Sequence, residues 1–110
     1  MMPTTVRNIK DGTFDPTNPE HVYIGRPMHL HRFEPVRRGS RWGNPRSLRR
    51  GATARERAAV IEWYRDRYLP SQPELLAALP ELRGKTLYCW CKPLACHGDV
   101  LAELADKAQP

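Results

Sequence analysis

The sequence predicts a small α/β protein of one domain, and three observations carry that expectation. Short β-branched or aromatic runs stand near both ends of the chain, at Val6–Ile9, Val22–Gly25 and Thr86–Cys91. Stretches of helical spacing follow the second and third runs, so that strands and helices alternate. With 110 residues the chain has room for one modest core. The expected architecture is a single domain over 1–110 with its core between about 5 and 107. A sheet of three or four strands is covered by helices, and the C-terminal end is a Rossmann-like strand–loop–helix.

Val6–Ile9 forms the first short strand and Asp11-Gly12 marks the turn that follows. Pro16 and Pro19 make the next stretch a loop. The second strand ends at Gly25, where the chain can turn or a ligand can approach the backbone, and Arg26-Pro27 follow at once. Residues 28–51 show no period and contain Gly39, Gly43, Pro45 and Gly51, which predicts one long loop. Loops of that length in compact domains are functional or disordered. Trp42 in Trp-Gly-Asn-Pro favours order, either by packing into the core or by stacking on a base.

Thr53 with Glu56 three residues later is a capping box, and Ala54, Ala58, Ile61, Tyr64 or Arg65, and Tyr68 recur at helical spacing until Pro70. Ser71 with Glu74 predicts a second capped helix, with Leu75, Leu76 and Leu79 as its apolar face and Pro80 as its stop. The turn Arg83-Gly-Lys85 leads into the strand Thr86–Cys91. Gly98 and Asp99 then open a last helix to about Lys107, which buries Val100, Leu101, Leu104, Ala105 and Ala108. Asp99 in its first turn suits the positive end of the helix dipole.

The net charge is +6, but it is not spread evenly. Residues 26–57 hold ten arginines against only Glu34 and Glu56, so this window carries the whole excess. Arginine presents a planar fork that matches phosphate oxygens in pairs. No apolar run is long enough to span a bilayer, and Met-Met-Pro-Thr-Thr-Val-Arg lacks the apolar core of a signal peptide. A cytoplasmic protein with no membrane partner is the expectation. Its three clustered cysteines do not form the even framework of a disulfide scaffold.

If Val22–Gly25 and Thr86–Cys91 are parallel neighbours, the Gly25-Arg26-Pro27 turn and the loop Cys91–Gly98 face one crevice. Ligands of open α/β sheets bind at that edge. Four chemistries compete for it. A zinc ion held by Cys89, Cys91, Cys96 and His97 is one, though Cys-x-Cys-x4-Cys-His matches no common zinc spacing, and packing in a buried strand accounts better for Cys89 and Cys91. Nucleophilic catalysis by Cys96 is the second, with the thiol at a helix N-terminus beside His97 and near Lys92. Asp99 either orients His97 in that scheme or caps the helix. The third is nucleotide or phosphate binding by Gly25, Arg26, Pro27, Trp42, Gly43, Asn44 and the backbone at Gly98, although neither the dinucleotide nor the P-loop fingerprint is present. The fourth is nucleic acid tracked by the arginines, with His29, His31, Phe33 and Trp42 as stacking positions.

Four blocks, Ile24-Gly-Arg-Pro27, Trp42-Gly-Asn-Pro45, Leu82-Arg-Gly-Lys85 and Cys89-Trp-Cys-Lys-Pro-Leu-Ala-Cys-His-Gly-Asp99, occur in that order. Together they resemble the signature of the bacterial and phage domain-of-unknown-function family 4326, and they span about residues 22 to 104. The resemblance implies a compact cytosolic domain, often phage-borne, whose shared blocks line one site. It implies no particular activity. The resulting expectation is a protein that binds a nucleotide or nucleic acid, as an enzyme acting on a nucleotide or base with Cys96, His97 and Asp99 as its catalytic groups. The alternative is a non-enzymatic module that engages nucleic acid or an acidic host protein through its arginine loop, with or without zinc.

Overall fold

The computed structural model describes residues 3–108, so the two ends of the expected 1–110 domain lie outside the described residues. Three strands, β1 (Thr5–Asn8), β2 (His21–Tyr23) and β3 (Thr86–Cys89), form one parallel sheet in the order β1-β3-β2. The central strand is set in register by Leu87, which stands opposite Val6 on one side and Val22 on the other. Four α-helices cover this sheet: α1 (Glu34–Arg38), α2 (Ala54–Trp63), α3 (Pro73–Ala78) and α4 (His97–Lys107). The result is a small mixed α/β domain, with the sheet at the lower end of the expected three or four strands.

A central parallel strand is covered on both faces, and after Thr86 its residues are accordingly hydrophobic. Leu87, Tyr88 and Cys89 are all buried. Alternation sends Leu87 and Cys89 to one face and Tyr88 to the other. The first face meets the main core, which includes Ile24, Trp42, Tyr64, Leu69, Leu82, Val100 and Leu101. Tyr88 joins a smaller core of Ile9, Phe14, Tyr23 and Val36 on the opposite face.

Several local expectations are corrected. β3 stops at Cys89 rather than Cys91, because the Asn8 amide donates to the carbonyls of Trp90 (3.2 Å) and Lys92 (2.7 Å) and takes them out of the ladder. β1 likewise ends at Asn8, and Ile9 begins a single 3-10 turn. Residues 28–51 are not wholly loop. They contain α1, five residues long with Pro35 in its first turn, held by burial of Val36 in the smaller core. So short a helix has no period to read, and tertiary burial stabilises it rather than propensity.

The capping box at Thr53 and Glu56 is present as expected. After Trp63 the chain widens into a π turn over Tyr64–Tyr68 and then tightens into a 3-10 turn at Pro70. That change of pitch accompanies Tyr64 in the core, where its hydroxyl donates to the Trp42 carbonyl at 2.6 Å. The second expected capping box does not form. Ser71 donates its hydroxyl back to the Tyr68 carbonyl (2.6 Å), and α3 starts after Gln72 instead.

α4 lies against the sheet at its first turn, and the reason is Gly98. A Cβ there would stand 2.7 Å from Ile24 Cδ1 and 3.0 Å from Val6 Cγ1. No helix among the described residues is long and apolar enough to cross a membrane.

Candidate functional site

The C-terminal ends of β2 and β3 open on a cavity of about 570 Å³, a size that suits a small-molecule ligand. Its walls come from the Gly25-Arg26 turn, the loop 44–52, the inner face of α2, and the segment 89–97. This inner face explains a peculiarity of α2. The helix has no fully buried residue because Arg57, Val60 and Ile61 face the cavity instead of a sealed core. Among the described residues five arginines line the walls, Arg26, Arg46, Arg49, Arg50 and Arg57, and not one carboxylate does. Arg49 is paired with Glu56 at 2.6 Å. Among the described residues the other four have no acidic partner. Arg57 donates only to the Ala95 carbonyl (3.3 Å), Arg26 Nε to the Asn44 carbonyl (3.1 Å), and Arg46 lies over the Trp63 ring at 4.1 Å.

The residues expected to bind ligand divide into wall and support. Gly25, Arg26 and Asn44 line the cavity, whereas Pro27, Trp42, Gly43 and Gly98 do not. Trp42 is 3 % exposed, in the core, so stacking on a base is replaced by packing. The Asn44 amide does not present a free edge either. Its oxygen accepts from Arg46 N–H (3.0 Å) and its nitrogen donates to the Val60 carbonyl (3.4 Å), which fastens the loop to α2. Gly25 has no room for a side chain, since a Cβ would come within 2.4 Å of the Tyr23 hydroxyl. That hydroxyl donates to the Arg26 carbonyl (2.6 Å) and accepts from Trp90 Nε1 (2.6 Å). The need for glycine is thus set by a neighbouring side chain and not by a left-handed turn.

The start of α4 is closed to anions. The Asp99 carboxylate accepts from Cys96 N–H (3.1 Å) and pairs with the Lys92 ammonium. The Cys96 side chain caps the first turn, and Gly98 itself is packed under Ile24 and Val6. Asp99 therefore caps the helix, and of the two readings open for it the structure takes this one. His97 is held elsewhere: its Nε2–H donates to the Ile24 carbonyl at 2.8 Å, with the Tyr64 ring edge-on at 5.0 Å.

Burial pushes the His97 imidazole below the ordinary histidine value, helped by the Arg26 charge and opposed by the Ile24 and Trp42 carbonyls and by Asp99. The unfolded chain therefore takes up this proton first as pH falls, so the contribution of neutral His97 is complete above about pH 6.5 and declines below it. Urea midpoints at pH 7.5 and pH 5.5 are expected to differ less in His97→Gln than in the native protein, because the neutral amide has nothing to titrate. Equal pH dependence in the two proteins would remove His97 as a source of acid sensitivity.

The cysteines separate in an unexpected way. Cys89 and Cys96 are in contact, Sγ to Sγ 3.2 Å, at the wall of the cavity, while Cys91 sits in the loop beyond the strand and is the more exposed. Among the described residues no three His, Cys, Asp or Glu side chains stand where they could share a metal ion, so Cys89, Cys91, Cys96 and His97 do not converge as a set. The acidic sulfur is that of Cys89. The contact with Cys96, with the Lys92 charge close by, draws its pKa below the ordinary thiol range despite burial. The same contact and burial push Cys96 well up.

Sequence reasoning missed the contact of Cys89 with Cys96, and no spacing rule would have joined residues seven apart across an irregular loop. It also missed Arg46, Arg50, Arg57, Val60 and Ile61 as wall residues. For Arg57 and Ile61 a signal existed, since positions four apart share one helix face.

Comparison with known proteins places the chain among viral relatives. It is 37% identical over 75 residues to the "Uncharacterized 12.4 kDa protein in nrdA-td intergenic region" of Enterobacteria phage T4, a match covering 66% of each chain. It is 33% identical over 91 residues to the "Uncharacterized protein R718" of Acanthamoeba polyphaga mimivirus, covering 76% of this chain and 65% of that one. The chain thus spans slightly less than two thirds of the length of each of these relatives. No solved structure matches it significantly. The family model described as Domain of unknown function (DUF4326) matches residues 8–107, nearly the whole domain and every wall of the cavity. The chain belongs to the DUF4326 family.

Proposed function

We propose that the cavity binds a nucleotide, with its phosphates held by Arg46, Arg50 and Arg57 and its apolar ring set against Val60, Ile61 and Leu94. The observation that carries this reading is the lining of five arginines with no carboxylate. Cationic groups gathered without counter-charge repel one another, and an anionic ligand relieves that repulsion. The volume of about 570 Å³ accommodates a nucleotide and excludes a duplex. In this reading β3, its loop and α4 act as a Rossmann-like unit with a changed anion site. The phosphate lies beside α2 and the arginines, because the start of α4 already carries the Asp99 carboxylate.

The test is calorimetric titration with nucleoside mono-, di- and triphosphates at fixed salt. Affinity is expected to rise with phosphate number, and Arg50→Ala with Arg57→Ala is expected to lower it at least about tenfold, the scale of losing one or two charge-assisted hydrogen bonds. Arg38→Ala, on a side chain paired with Glu34 away from the cavity, serves as the control. Failure of every nucleotide to bind at millimolar concentration would overturn the reading.

The charge of the long loop outside the cavity favours a single nucleic-acid strand less. There Arg37 and Arg38 are paired with Glu34, and Arg41 with Glu81. Strand binding would appear as a steep fall of affinity with salt for an oligonucleotide and no preference for mononucleotides.

A further inference from the structure

Nothing in nucleotide binding uses the contact between Cys89 and Cys96, and that contact has a chemistry of its own. Two reduced sulfurs 3.2 Å apart lie closer than ordinary packing places them, and they are about 1.2 Å from disulfide bonding distance. The surroundings treat the two sulfurs differently. The contact with Cys96 and the nearby Lys92 ammonium draw the Cys89 thiol below its ordinary range. The same contact and burial push the Cys96 thiol, at the N-cap of α4, upward. Both sulfurs are buried yet form part of the cavity wall.

We propose that Cys89 and Cys96 are a peroxide-oxidised dithiol, with Cys89 as the attacking sulfur and Cys96 as the resolving one. Cys89 thiolate attacks one oxygen of hydrogen peroxide, the O–O bond breaks, and the departing hydroxide takes up a proton and leaves as water. The Cys89 sulfenic acid is then attacked by the Cys96 sulfur. The Cys96 proton goes to the sulfenic oxygen, which leaves as a second water, and the Cys89–Cys96 bond forms. Two electrons leave the sulfur pair and reduce one peroxide. The product ties the end of β3 to the start of α4 and so fixes the loop between them, whose Trp90, Cys91, Leu94 and Ala95 are cavity wall. A dithiol reductant reverses it.

The experiment treats the reduced full chain with hydrogen peroxide and follows free thiols, intact mass and the peptide map. Titratable thiols are expected to fall from three to one, with loss of two hydrogens and a bond mapped between Cys89 and Cys96. Cys91→Ser should form the same bond. Cys96→Ser should leave a sulfenic acid on Cys89 that dimedone traps, and Cys89→Ser should give no trapped product at Cys96 under the same exposure. Modification of Cys91 before the buried pair, as exposure alone would dictate, overturns the proposal. So does a disulfide that includes Cys91, or survival of all three thiols at peroxide levels that consume free cysteine. Protection of the thiols that disappears on adding a chelator also overturns it, by pointing to a bound metal. Nucleotide titration of the reduced protein is independent of all these outcomes, so failure of either proposal leaves the other standing.

Discussion

Trp42→Ala is expected to destabilise the protein by about 3–5 kcal/mol, the range for removing a large aromatic side chain from a close-packed interior. A domain of this size has a total stability of about 5–15 kcal/mol, so the variant is at best marginally folded. The ring is buried with Ile24, Tyr64 and Leu82, between the sheet and the helical turns that cover it. Its backbone is part of the same arrangement, because the Trp42 carbonyl takes the Tyr64 hydroxyl at 2.6 Å and its N–H donates to Ser40 Oγ at 3.1 Å. Loss of the ring therefore loosens the loop that carries Asn44 and Arg46 into the cavity wall. Trp42→Phe is expected to recover more than half of the loss, since it restores most of the apolar volume. Urea unfolding followed by far-ultraviolet circular dichroism reads both values. A cost below about 1 kcal/mol for Trp42→Ala would mean the ring is not a core group and would return it to the list of ligand-stacking residues.

Gly25→Ala is the second substitution with a large expected effect, about 1–3 kcal/mol, the usual cost of forcing extra atoms into a filled interior. The new methyl would lie 2.4 Å from the Tyr23 hydroxyl and 2.7 Å from Cζ, so the ring must move. It cannot move without consequence. Tyr23 is buried, and its hydroxyl joins the Arg26 carbonyl to the Trp90 indole, tying the turn after β2 to the loop after β3. Breaking this link should displace Arg26 and Trp90 together and lower nucleotide affinity as well as stability. Tyr23→Phe in the Gly25→Ala background removes the closest clashing atom, and partial recovery of the urea midpoint identifies the clash as the cause. Wild-type stability in Gly25→Ala alone would show that the ring has space the geometry denies it.

These two residues show how far the sequence could be read. Both stand in blocks that resemble the family signature, where the sequence leaves Trp42 between core packing and base stacking and Gly25 between a turn and a ligand's approach. In the structure Trp42 packs and Gly25 makes room for Tyr23. Their effect on a ligand passes through the shape of the wall. The alternation of strands and helices was legible because apolar periods and caps are local, as at Thr53 and Glu56. Where the chain departs from regular geometry, at the π turn after Trp63 or the five-residue α1, burial of one side chain decides the backbone, and no local pattern announces it. Ser71 shows the converse: a correct capping pattern lost because the hydroxyl finds the Tyr68 carbonyl first.

By itself the sequence determined an α/β domain, the concentration of arginine in one segment, and family membership through the order of its blocks. Each of these depends on residue type, spacing or count. Only the tertiary structure decided which arginines share a cavity without a carboxylate, that Asp99 closes the start of α4, and that Cys89 meets Cys96 across the loop. Those outcomes depend on distances of a few ångströms between groups brought together by packing. Hydrogen bonding and charge act over that range, whatever the separation along the chain.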